Sequence, residues 1–102
     1  MLVLRHLIFD LSEGDDGISS LEAVASTRPE AHAGVMAEVQ QVLAWAADNF
    51  AGQQGQLEDG RAWDHALLVQ IEAGGWLTVT LTLIGSASFV EAVLARYAAD
   101  RD

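Results

Sequence analysis

The chain has 102 residues, 15 acids against five arginines, no lysine and a formal net charge of −10. A surface of that sign repels nucleic-acid phosphate and anionic lipid and draws cations and basic partners, so nucleic acid and membrane are not expected among its ligands. No cysteine is present, which excludes disulfides, thiolate metal sites and cysteine nucleophiles and fits a reducing cytoplasm.

Apolar residues make up 51% of the chain, enough for one folded domain over 1–102 rather than an acidic disordered segment. No apolar run approaches the ~20 residues of a spanning helix, and residues 2–9 are too short and too interrupted by Arg5 and His6 for a signal peptide. The expectation is a soluble, unexported protein.

Residues 2–11 (LVLRHLIFDL) read as a first strand, apolar on both faces and so covered on both, ending in the turn cluster 12–17. Ser19-Ser20-Leu21-Glu22 has capping-box spacing and predicts a short helix to about residue 25. Thr27-Arg28-Pro29-Glu30 repeats the box with proline in the first turn. A long helix to about Phe50 should follow, with Val35, Val39, Val42, Leu43, Ala46 and Phe50 on one stripe. Trp45 projects toward the polar side, roughly 120° from the centre of that stripe. Residues 51–64, rich in glycine, glutamine and acids, read as a loop.

Residues 65–72 and 76–84 form the clearest hairpin. Leu67, Val69 and Ile71 must share a face with Leu77, Val79, Leu81 and Leu83, so paired residue numbers must sum to an even value. A three-residue loop, Ala73-Gly74-Gly75, satisfies this by pairing Ile71 with Leu77, with glycine where the left-handed conformation falls. Ser88-Phe89-Val90-Glu91 is a third capping-box pattern, opening a C-terminal helix that ends near residue 99 before a frayed tail.

The expected architecture is a two-layer α+β domain with a three-stranded, mainly antiparallel sheet and helices on one face. With the third strand between the first two, this is a ferredoxin-like half-pattern lacking a fourth strand. The first strand would then be an edge suited to self-pairing across a two-fold axis.

Motifs for chemistry are sparse. The acids Asp10, Glu13, Asp15 and Asp16 resemble a calcium loop in composition only. With Gly17 as the obligatory glycine the first ligand would be Ser12 and the twelfth residue is Ala23, so the cluster reads as a solvated turn. His6, His32 and His65 lack metal-ligand spacing. His6 and His65 sit in expected strands, and with Trp63 and Asp64 they form a candidate small-ligand pocket, the weaker of two site candidates. The serines lie at turns and caps, without a nucleophile elbow, and Gly-Gln-Gln-Gly at 52–55 lacks the rest of a phosphate loop. No catalytic, metal or cofactor site is assigned, and the balance leans against an enzyme.

The stronger candidate is the second sheet face, Leu68, Gln70, Trp76, Thr78, Thr80, Thr82 and Ile84, joined by Trp45. Threonine suits a solvated strand face, but Leu68, Trp76 and Ile84 together would leave an apolar patch. The reading that follows is a non-enzymatic interaction module, a homodimer through its sheet. Two alternatives are an acidic neutraliser of a basic partner, of immunity or antitoxin kind, and a ligand binder or cofactor-free enzyme of the dimeric ferredoxin-like kind. Local acid concentrations at 10–16 and 58–64 are where a basic partner or cation would be sought.

Overall fold

The computed structural model describes residues 6–14, 17–50, 54 and 63–97. Its elements are β1 (Phe9–Glu13), β2 (Ile18–Thr27), α1 (Pro29–Asn49), β3 (Trp63–Ile71), a 3₁₀ turn (Ala73–Gly75), β4 (Leu77–Ser86) and α2 (Ala87–Tyr97). The fold is α+β, with one antiparallel sheet of four strands in the order β1-β2-β4-β3 and two helices. Three strands were expected; the fourth is β2, which replaces the short helix predicted over 19–25.

The substitution of strand for helix has a packing cause. β2 turns Ser19, Leu21, Ala23 and Ala25 inward, all buried, and small inward side chains give a helix layer room to lie close. Pairing is extensive: β2 runs antiparallel to β4 from Ile18 opposite Ser86 to Thr27 opposite Leu77. A full ladder of backbone hydrogen bonds outweighs the helix propensity of Leu, Glu and Ala in this segment. The first strand is also displaced. It occupies Phe9–Glu13 as a hairpin arm on β2, with Phe9 opposite Ala23, and Leu11 and Asp10 on it are exposed rather than covered.

β2 and β3 are both antiparallel to β4, which lies between them, and α1 connects them. β2 and β3 thus run parallel to one another with β4 between them, and β1 lies outside β2.

Odd-numbered residues of β2 and β4 face the helices. Leu21, Val79, Leu81 and Leu83 join Val35, Val39, Val42 and Ala46 of α1 and Phe89, Val90, Val93 and Tyr97 of α2 in one core. Burying each large aliphatic side chain contributes about 1.5–3 kcal/mol.

The hairpin follows the parity argument. Ile71 pairs with Leu77, Glu72 N–H donates to Trp76 O at 2.8 Å, and Gly74 and Gly75 take φ of 82° and 84°. Two caps differ from expectation. Arg28, not Thr27, is the N-cap of α1, without a side-chain bond, because Thr27 is the last residue of β2. At α2, Phe89 N–H donates to Ser86 Oγ at 3.3 Å, so Ser86 rather than Ser88 caps that helix. The 2–5 part of the first strand, the turn acids Asp15 and Asp16, most of the 51–64 loop and the tail lie outside the described residues.

Candidate functional site

The weaker candidate, the pocket, separates into two places. Trp63, Asp64 and His65 are consecutive on β3, whereas His6 leads into β1 at the opposite edge of the sheet. His6 Nε2 lies 3.3 Å from where a Cβ on Gly34 would stand. The backbone N–H groups of His6 and Leu7 each donate to Glu38 Oε1 at 3.0 Å, which anchors this segment to α1.

On β3, Trp63 is buried and stacks on Phe89 at a centroid distance of 5.2 Å and on the His65 ring at 6.2 Å. Asp64 Oδ1 accepts the backbone N–H of His65 at 2.8 Å. The His65 ring meets Gln54, whose Nε2 is 2.9 Å from Nδ1; with the amide donating, that ring nitrogen accepts. Asp64 Oδ1 thus accepts from the His65 backbone and, at 3.5 Å, from the Gln54 amide, and not from the imidazole. Among the described residues no three His, Asp or Glu side chains gather into a metal site. An open depression of about 300 Å³ at the β1–β2 turn is lined by Ser12, Glu13, Gly14, Ile18, Ser19 and Ser20, and by none of the four pocket candidates.

Six residues of the stronger candidate lie on one sheet face. The strand registers set Ser26, Thr78 and Gln70 in one row, then Val24, Thr80 and Leu68, then Glu22, Thr82 and Ala66, then Ser20, Ile84 and Asp64. Leu68, Gln70, Thr78, Thr80, Thr82 and Ile84 therefore share the sheet face away from the core. Thr78 donates to Glu72 Oε1 at 2.9 Å and lies 3.0 Å from Ser26 Oγ, a chain in which the serine donates to the threonine. Val24 and Leu68, neighbours of Thr80 on either side, are the exposed aliphatics of this face, each 52% accessible.

The two tryptophans stand apart from it. Trp76 sits at the hairpin with the Arg28 guanidinium 4.7 Å from its ring centroid, and Arg28 Nη1 donates to Gly74 O at 2.9 Å. This clamp joins the β2–α1 corner to the hairpin. Trp45 belongs to the helix layer, edge-on to Phe50 at 6.3 Å and to Tyr97 at 5.8 Å. The polar side of α1 to which it projects is thus occupied by aromatic neighbours.

A feature absent from the sequence candidates is the outer flank of β3. Helix contacts concentrate on β2 and β4, so the helix-side residues of β3 emerge from under the layer. Leu67 is 38%, Val69 42% and Ile71 82% accessible, and β3 is the end strand of the sheet. The Glu72–Trp76 bond fixes the phase of the ladder. Even-numbered residues of β3 aim N–H and C=O at β4, and odd-numbered ones aim theirs outward. Residues 66–71 (ALLVQI) carry no charge. Natural edge strands are commonly blunted by charged side chains or proline; β3 carries one acid, Asp64, at its start, and residues 66–71 have neither. An uncharged run with four aliphatics in a chain of charge −10 was the sequence signal for it.

Comparison with known proteins finds no matching family model, no matching curated protein and no matching solved structure. No described helix is long and apolar enough to cross a membrane.

Proposed function

We propose that the protein is a non-enzymatic interaction module of the cytoplasm that self-associates through its sheet. We read its connectivity as ferredoxin-like, with β1 supplying from the N-terminal side the strand that flanks β2. What supports self-association above all is the β3 edge: uncharged from residue 66 to 71, aliphatic on both faces and, past the Gln54 bridge at Trp63, without a strand on its outer side among the described residues. Such an edge is a template for another strand. The dispersal of His6 from Trp63, Asp64 and His65 supports the non-enzymatic part of the reading.

Light scattering coupled to size exclusion tests it. The expected mass is twice the 10.9 kDa of one chain at micromolar concentration and above. A single-chain mass maintained into the millimolar range refutes the proposal.

A further inference from the structure

We propose that two copies pair antiparallel along β3, with Val69 opposite the partner's Val69 on a two-fold axis, to form a continuous eight-stranded sheet. This rests on the self-association reading and specifies its geometry.

A two-fold axis that sets two edge strands side by side and antiparallel stands perpendicular to the sheet. It leaves each face where it was, so helix-side residues meet helix-side residues and paired numbers sum to an even value. The outward-aimed backbone groups are those of odd-numbered residues, so odd–odd pairs are the hydrogen-bonded ones.

Register follows from what is free. At the start of the strand Trp63 already bridges Gln54, and the next outward position, His65, has Gln54 on its ring. Among the described residues the outward positions left are Leu67, Val69 and Ile71, centred on Val69. Centring there places Leu67 opposite the partner's Ile71, Ile71 opposite the partner's Leu67, and Leu68 opposite the partner's Gln70. The helix-side aliphatics that emerge from one helix layer then meet their equivalents from the other and close a small second core. Ile71, at 82% accessible the most exposed aliphatic described, gains the most cover.

The local charge pattern along the strip favours a second copy over a basic partner as the occupant. Glu72 falls opposite the partner's Ala66, so no acid faces an acid. The other sheet edge carries Asp10 and Glu13 on β1, where self-pairing sets acids of two copies near each other. A basic partner, conversely, has no carboxylate to meet between residues 66 and 71.

The absence of native cysteine makes the test direct. Three single-cysteine variants report three geometries: Val69→Cys the β3 edge, Leu11→Cys the β1 edge and Thr80→Cys the open face. In a hydrogen-bonded antiparallel pair the Cα atoms lie about 5.5 Å apart, within disulfide range. Under a mild oxidant Val69→Cys is expected to give a disulfide-linked dimer in high yield, at least tenfold above the other two. Val69→Pro provides a second readout. Its missing N–H points away from β4, so the monomer sheet tolerates it, while both bonds of the self-pair are lost. Far-ultraviolet circular dichroism is expected to be unchanged and the dimer dissociation constant to rise at least tenfold.

If light scattering shows a dimer yet Leu11→Cys or Thr80→Cys cross-links instead, the β3 geometry is overturned while self-association stands. If the chain is a monomer throughout, both readings fall. Monomers that associate only on addition of a basic protein also overturn the pairing.

Discussion

Glu38 holds the segment leading into β1 against α1 through its carboxylate. The residue is 8% exposed, and Oε1 accepts two backbone N–H groups, from His6 and Leu7. Removing the acceptor strips the buried Leu7 N–H and the part-buried His6 N–H of this partner, and an unsatisfied buried donor costs more than a hydrogen bond contributes when made. Glu38→Ala is expected to destabilise the fold by about 2–3 kcal/mol. Glu38→Gln retains a carbonyl oxygen for the same two donors and is expected to cost about half as much, the loss of charge assistance. Urea unfolding of both variants distinguishes this from a simple surface acid, for which the two would be alike. Thr27 presents the opposite case. Its hydroxyl is buried with no hydrogen-bond partner, so Thr27→Val, which keeps shape and β-branching, is expected to add about 1 kcal/mol. The urea midpoint should rise with an unchanged slope.

At the scale of elements, the start of α2 distinguishes two capping patterns three residues long. Ser86 Oγ accepts the Phe89 N–H, although Ser88-Phe89-Val90-Glu91 matches the sequence pattern of a capping box. Ser86→Ala is expected to lower stability by about 1 kcal/mol. Ser88→Ala should change it by less than about 0.5 kcal/mol, as exposed substitutions usually do; equal losses in thermal unfolding would reverse the assignment. Spacing alone misplaced this cap because β4 runs straight into the helix, and the last strand residue serves as N-cap. The same limit hid β2. Its inward positions hold Ser19, Ala23 and Ala25, which carry too little hydrophobicity to show a period of two. Outward Ile18 and Val24 blur the alternation further. The long helix and the β3–β4 hairpin were legible because Val, Leu and Ile repeat there with a single period, and the Gly74-Gly75 pair admits one register. The threonine face was legible for the same reason. For Trp45 a helical wheel shows direction but not that Phe50 and Tyr97 lie beside it.

Across the whole molecule, strand order decides what the charge can do. The outer flank of β3 becomes visible only when β4 is known to lie between β2 and β3 and the helices are known to ride on β2 and β4. Periodicity within one segment carries no such information. Once two chains meet at that flank, each brings a charge of −10, and the long-range term opposes their approach while the contact strip itself is neutral. Salt screens such repulsion within about 8–10 Å at 0.1–0.15 M and strengthens apolar burial rather than weakening it. The dimer is therefore expected to tighten as ionic strength rises from about 0.02 M to about 0.5 M, by several-fold in its dissociation constant. Sedimentation equilibrium across that range measures it. A complex held by ion pairs with a basic surface has the opposite slope, because the same screening removes its attraction. A dissociation constant that rises with salt would mean that carboxylates form the contact, which would exclude the uncharged β3 edge as its site.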